Sequence, residues 1–507
     1  MNDIQIIKQC PKKVLDALKI GEIERIEFAV EQITDEFMIY GFSCFGYRVA
    51  QGGLIDELSN SFPDPRKECE ITTKQILSAS IAGHFQDMYA ISQSPYALHS
   101  PTLLAELGLN VKVLLEGEGI SRKGTKDATP FSGDVIRKML NDMTSMELIQ
   151  WYNRHVGRAY LEQANYKPCI HILDCTKLEV NIDNENYEGS GIVKEKEKDI
   201  NGKSVEKLKR GYKLGSLRSL LDDGGIITSI AFGAIQVHDL TLCNELLMTS
   251  PHLKPGDMVI EDRGFLDGET ITKLKKERKV DVTIPLRSDM LSYEDSLVTA
   301  YHIEKNPCAK NRCDSVGWEK HPTRANQEIK LIEHADYMWE ECGVPLIGCV
   351  VRELKKGKDG SGGRADYEHW VFVTTRLSMN GKLLIRTYEL RPEIEEDHRQ
   401  WKTGPWDMSK FTSTSMVQIV YHIIIVLLAY NLMKIYSNTQ SGQKFAQKTL
   451  RRVRREQMRN HEVCMIVYTY DSYAVFSAKY LVWLLLGLPK DVQQRLKEQL
   501  KGYFGFT

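Results

Sequence analysis

The chain has 507 residues, 42% hydrophobic and 27% charged, an ordinary globular composition with enough apolar material for a large core and a prior of about three domains. Its formal net charge is −1, so overall charge identifies no partner, and any nucleic-acid surface must come from local clustering. The eleven cysteines follow no regular framework, and "MNDIQIIKQCPKKVLDALKI" lacks an apolar region followed by a small-residue cleavage site. Free thiols in a reducing, cytoplasmic setting are therefore expected.

Residues 1 to 165 read mostly as helix. "ITTKQILSASIAGHF" and "SGDVIRKMLNDMTSMELIQWYNRHV" carry apolar residues at helical spacing, with Thr72 or Thr73 placed to cap the first and Ser132 the second. "ISRKGTKDATP" between them reads as a basic, solvated loop. The pattern changes at Cys169. "CIHILDCT" is a short apolar run closing on Asp174, as in a buried strand. "KEKEKDINGKSVEKLKR" then reads as a charged, mobile excursion. "GYKLGSLRSLL" and "IITSIAFGAIQV" read as antiparallel strands about the turn "DDGG". The helix "DLTLCNELLMTS", the strand "GDMVIEDRGF" ending at Asp262, the helix "DGETITKLKKERK" and the strand "VDVTIPLR" follow. Consecutive strands followed by alternation with helices predict an α/β fold, a mixed sheet with flanking helices. Both aspartates stand at predicted strand ends, where ligand sites gather.

Residues 288 to 378 read as a β-rich insertion. Its strands "YMWEECGVPLIGCVVREL" and "YEHWVFVTTRL" flank a basic hairpin tip at Lys355, Lys356 and Lys358. Cys308 and Cys313, with Cys342, Cys349, His321 and His334 downstream, lack the paired spacing of a zinc ribbon. Helices dominate after Pro392. "MVQIVYHIIIVLLAYNLMKIY" has the length of a membrane span, but Gln418, His422 and Asn431 interrupt it and "TSTS" precedes it as a cap. A buried core helix, and no membrane, is the expectation. Further on, Lys444, Lys448, Arg451, Arg452, Arg454, Arg455 and Arg459 fall within sixteen residues containing one Glu. Such a single-sign run suits a DNA backbone.

"YELRPEIEEDHRQWK", from Tyr388 to Lys402, holds five acidic residues, two arginines and a lysine. Pro392 suits a first helical turn, and acids next to it suit the helix dipole. At about 100° per residue from Arg391, Glu395 falls at about 40° and Lys402 at about 20°. These three share a narrow face from which Glu393 and Glu396 point away. Two aspartates at strand ends and Glu395 suggest a metal site. Mg²⁺ takes oxygen ligands, and three carboxylates can hold two ions about 4 Å apart. Without cations, such anions at about 4 Å repel by about 4 kcal/mol at an effective dielectric of about 20.

Tyr388, Arg391, Glu395 and Lys402 reproduce the Y-x2-R-x3-E-x6-K signature of bacterial insertion-sequence transposases of the DDE type, and the chain resembles that family. "ILDCT" looks like the strand of the family's first aspartate, "VIEDRGF" like that of its second, and "VHDLT" fits the same pattern. The resemblance implies an RNase H-like core and cut-and-paste transposition. Asp174, Asp262 and Glu395 would be catalytic and would hold two Mg²⁺ ions, with Mn²⁺ as a substitute. Arg391 and Lys402 would bind DNA phosphates, and Tyr388 a phosphate near the cut. The partners implied are transposon-end inverted repeats and target DNA, with a homodimer on paired ends, in a bacterial cytoplasm at the nucleoid. An aromatic of the insertion, Trp318, Trp339 or Trp370, would stack on a flipped base.

The expected organisation has five parts. Residues 1–130 are a helical DNA-end-binding domain, and 131–287 the first part of the catalytic core. Residues 288–378 are the β-rich insertion, 379–437 the second part of the core, and 438–507 a helical C-terminal region with the basic helix. Two alternatives remain open: a DNA-binding protein that keeps the fold without catalysis, and an RNase H-like nuclease acting alone.

Overall fold

The computed structural model describes residues 8–28, 53–67, 69, 71–85, 89–95, 131–198, 204–222, 224–306, 317–403, 406–437, 464–477, 481 and 484–504. The chain divides into two units, Thr144–Ile435 and a second made of Met1–Met143 with Tyr436–Thr507.

The unit Thr144–Ile435 opens with helices α1 (Ser145–Trp151) and α2 (Gly157–Gln163). The helix expected to run unbroken from Ser132 ends instead at Asn141, and Thr144 starts α1 with a capping box to Glu147. Four strands follow: β1 (Ile170–Val180), β2 (Gly191–Lys198), β3 (Ser204–Leu221) and β4 (Gly224–Ala234). The charged stretch expected to be a mobile excursion is thus largely a hairpin of β2 with the start of β3. Its Lys–Glu alternation has the period of a strand, but with no apolar face it read as loop.

Next come α3 (Asp239–Thr249), β5 (Met258–Ile260), α4 (Gly268–Lys273), β6 (Asp281–Pro285) and α5 (Leu291–Lys305). Strands β7 (Glu319–Lys320), β8 (Gln327–His334), β9 (Leu346–Leu354) and β10 (Tyr367–Thr374) follow. Last are α6 (Gly381–Tyr388), α7 (Pro392–Thr403) and α8 (Met416–Ser437).

All ten strands form one mixed sheet in the order β2-β3-β1-β5-β6-β10-β9-β8-β7, with β4 also paired to β3. Only β1–β5 and β5–β6 are parallel pairs. The β-rich stretch expected at residues 288–378 continues this sheet, since β10 pairs with β6. Leu173, Val259, Val282, Phe265 and Leu297 pack in the main core on one face. Ile172, Ile260 and Ile394 form a small cluster on the other, joining β1 and β5 to α7.

Helix α8 contains the one segment among the described residues long and apolar enough to cross a membrane, and 78% of its apolar window is buried. Its polar residues serve packing. Asn431 Nδ2 donates to Ile227 O at 2.9 Å, and Asn431 Oδ1 accepts from Ile227 N at 3.0 Å.

In the second unit, Thr72 caps the helix Thr73–Phe85 reciprocally with Gln75, and Ser132 caps Gly133–Asn141, both as expected. The purely helical expectation for the two chain ends needs correction. Lys8–Gln9, Ser472–Ser477, Cys464–Tyr468 and Arg25–Phe28 form a four-stranded sheet in that order. "CMIVY" and "SYAVFS" carry the β-branched and aromatic residues of a hairpin. That signal was present and passed over.

Candidate active site

The register of β1 on β5 places the two aspartates. Ile172 pairs with Ile260 at the last parallel rung, and Asp174 and Asp262 each follow by two residues. Side chains two apart lie on one face of a strand, so both carboxylates leave the sheet side by side on the face that carries α7. The strands do not end at the aspartates as expected. β1 continues to Val180 against β3 alone, and β5 stops at Ile260.

Each aspartate has one oxygen tied to the backbone. Asp174 Oδ1 accepts from Cys175 N at 2.8 Å, and Asp262 Oδ1 accepts from Gly264 N at 2.6 Å. Asp262 thereby caps the short turn Arg263–Phe265. Gly264 is required by close approach, since a Cβ there would sit 2.9 Å from both Asp262 Oδ1 and Asp239 Oδ2. Phe265 plugs the main core.

Pro392 is the first residue of α7, and Ile394 docks on Ile172 and Ile260, two residues before each aspartate. Glu395 and Arg391 are thus brought to the same edge. Arg391 Nη1 donates to Glu395 Oε1 at 2.5 Å, while Nη2 lies 3.3 Å from Asp174 Oδ2 and 3.4 Å from Asp262 Oδ2. One guanidinium therefore gathers three carboxylates from three elements. Among the described residues no group of three or more His, Cys, Asp or Glu is spaced to hold a metal ion; the acids surround Arg391. The donor set still suits a hard cation. It is all oxygen, and each aspartate turns its remaining oxygen to a common centre. Burial pushes Asp174 up to about 7 against the pull of Arg391, with Asp262 and Glu395 adding to the rise. The site carries more negative charge than one arginine offsets.

Lys402 lies farther along the same face, half-buried, its pKa lowered by burial in spite of Glu179 and Asp174. Tyr388 packs against Phe372, with ring centroids 4.6 Å apart and planes tilted by 49°, and burial raises its hydroxyl above the usual range. Glu396 pairs with Arg399 and Gln400 on the outer face. Glu393 contacts Arg218 at 2.5 Å, so it is not the free surface acid it seemed. The basic residues Arg451, Arg452, Arg454 and Arg455, the loop "ISRKGTKDATP", Cys308 and Cys313 lie outside the described residues.

Sequence reasoning missed the anchor of α7. Buried Arg218 donates from Nε to Asp397 Oδ2 at 2.8 Å, and Tyr430 Oη donates to Asp397 Oδ1 at 2.5 Å. Lys434 Nζ stands 3.3 Å from Asp397 Oδ1. Glu393 and Asp397, four apart, mark this second helix face and were the available signal. His398 was also missed. Its Nε2 bonds Ser216 Oγ at 2.9 Å, its Nδ1 is 3.9 Å from Asp174 Oδ2, and burial lowers its pKa to about 3.

Of the three tryptophans, Trp339 is buried in the main core. Trp318 sits under Arg352, 4.0 Å from its ring centre, and donates to Glu304. Trp370 lines a cavity of about 230 Å³ with Phe372, Tyr388, His321, Arg324 and Glu389.

A comparison with curated proteins gives no match. A comparison with protein families gives one: the profile described as "Transposase DDE domain" matches residues 167–432, more than half of the chain and the whole of the sheet with its three acids. The chain belongs to the family of transposases with a DDE domain.

Proposed function

We propose that this transposase performs cut-and-paste transposition, cleaving at transposon ends and joining the freed 3′ ends to target DNA. The observation that carries the reading is the convergence of Asp174, Asp262 and Glu395, from two strands and a helix, around Arg391. These three carboxylates are the catalytic ligands for two Mg²⁺ ions, which Mn²⁺ can replace. When bound, the ions would supply the Lewis-acid chemistry of phosphoryl transfer, favouring the attacking oxygen and the leaving one. The backbone N–H groups of Cys175 and Gly264 hold each aspartate with one oxygen turned to that centre. Arg391 presents a fork and Lys402 a point charge to phosphates beside the cut. Tyr388 supports the same strand from the cavity side, and Trp370 takes a flipped base there, on an aromatic floor with Arg324 and Glu389 at its rim. Arg451, Arg452, Arg454 and Arg455 add sequence-independent affinity for the backbone. Residues 1–130 read the end sequence, because the core chemistry is blind to it. Paired ends call for a homodimer.

The test is strand transfer. Labelled DNA carrying the inverted repeats that flank the gene is incubated with the protein, Mg²⁺ and a target plasmid, and joined products are sought. Nicking without joining would leave a stand-alone nuclease. Binding with neither reaction would leave a DNA-binding protein without catalysis.

A further inference from the structure

Arg391 stands where a cation is needed, yet it fits no single partner well. A guanidinium matched to a carboxylate makes two parallel bonds at about 2.7–2.9 Å. Here Nη1 meets Glu395, Nη2 is shared between Asp174 and Asp262 at 3.3 and 3.4 Å, and buried Nε has no hydrogen-bond acceptor. The fork is spread over three anions. Among the described residues no other lysine or arginine pairs with these three acids: Lys402 shares only their face, and His398 Nδ1 stands 3.9 Å from Asp174 Oδ2. The oxygens that Arg391 holds are those left after Cys175 N and Gly264 N take theirs. A cation bridging Asp174 Oδ2 and Asp262 Oδ2 would compete with Arg391 Nη2 for both oxygens.

We propose that Arg391 is a resident counter-ion of the acid cluster: it holds Asp174, Asp262 and Glu395 in place before metal binds, gives them up when metal binds, and so frees its fork for a DNA phosphate. This rests on reading the three acids as metal ligands. Metal loading and phosphate binding are then coupled through one side chain, and by linkage each strengthens the other. An empty site holds together without DNA or metal, and its phosphate-binding arginine is withheld until the site is loaded. Arg391 is a competitor for the carboxylates in one state and a ligand for substrate in the next.

The experiment titrates the full chain with Mn²⁺, reading free Mn²⁺ by electron paramagnetic resonance, for wild type, Arg391→Gln and Asp174→Asn. Loss of the competing charge should make Arg391→Gln bind Mn²⁺ about tenfold more tightly, while its Tm in EDTA falls and its rise in Tm with Mn²⁺ grows. Asp174→Asn should bind more weakly than wild type. A duplex of arbitrary sequence should tighten Mn²⁺ binding by wild type and leave that of Arg391→Gln unchanged. If Arg391→Gln binds Mn²⁺ no better than wild type while Asp174→Asn binds worse, the metal site stands and the counter-ion role is wrong. If Asp174→Asn binds like wild type, the metal-site reading fails and takes the proposal with it. Where Arg391→Gln does not fold, Arg391→Lys replaces it. That variant keeps the charge but cannot bridge three carboxylates, so it too should bind Mn²⁺ more tightly, and wild-type affinity in it would refute the role.

Discussion

Asp174 and Asp262 each lie two residues past the rung that joins Ile172 to Ile260. Their separation is therefore fixed by backbone pairing, and only the third acid depends on how a helix is docked. Errors in that docking should show first at Glu395.

Glu395→Gln keeps the shape of the side chain and removes its charge. Cleavage of labelled end DNA in Mg²⁺ should vanish, while a gel shift should still show binding. Glu396→Gln, whose partners are Arg399 and Gln400 on the outer face, should cleave within a few-fold of wild type, as surface changes cost about 0.5 kcal/mol or less. Near wild-type cleavage by Glu395→Gln would remove the catalytic assignment.

Asp397→Ala should destabilise the larger unit without touching the acids directly. It leaves buried Arg218 with Glu393 but without its buried partner, and takes partners from Tyr430 and Lys434. Breaking a buried pair from one side costs about 3–5 kcal/mol. Urea denaturation checks it, and a loss below about 1 kcal/mol would mean that the network does not anchor α7.

Glu261 makes stability depend on pH. Both its carboxylate oxygens are buried without a hydrogen-bond partner, and burial, with Asp262 adding, raises its pKa to about 8 from 4.5. The folded state keeps a proton that the unfolded state has lost. Its contribution is full below about pH 4.5 and fades as pH rises toward 8. Asp174, raised to about 7, acts in the same direction. In EDTA, Tm should fall across that window, and Glu261→Gln should fall less steeply. Parallel curves for the two proteins would show that Glu261 does not titrate there.

Trp370→Ala removes the indole that lines the cavity beside Tyr388. Loss of base stacking is worth about 1–3 kcal/mol. End cleavage should slow by roughly tenfold or more, with little change on ends whose flipped position is abasic. Trp318→Ala, outside the cavity, should leave cleavage unchanged in the same assay.

The three acids drew attention through two apolar strand patterns and a helix face, and the structure brings them together beside Arg391 although neither strand ends at its aspartate. Glu395 was singled out by its helix angle and by the Y-x2-R-x3-E-x6-K spacing, and α7 carries it beside Arg391. The centre of the cluster was not legible. No spacing rule says that a guanidinium just ahead of α7 reaches β1 and the turn after β5, since that contact is made only after β1, β5 and Ile394 have packed. The β2–β3 hairpin was missed for a different reason. Ile192, Val205 and Leu208 are exposed on it, so burial, the signal that usually betrays a strand, is absent. The anchor through Arg218 was hidden because a buried arginine in "SLRSLL" reads as a surface interruption of a strand.

The continuity of the sheet turns the insertion into a ruler. Trp370 is on β10, and β10, β6 and β5 are consecutive strands. Two strand spacings of about 4.8 Å set the cavity lined by Trp370 about 10 Å across the sheet from the strand that leads to Asp262. That is close to three nucleotide steps of about 3.4 Å. A hinge between that cavity and the acids would have to break the ladder, so on the function proposed above the span of DNA from a base held at Trp370 to the bond cut at the acids would be counted in strands.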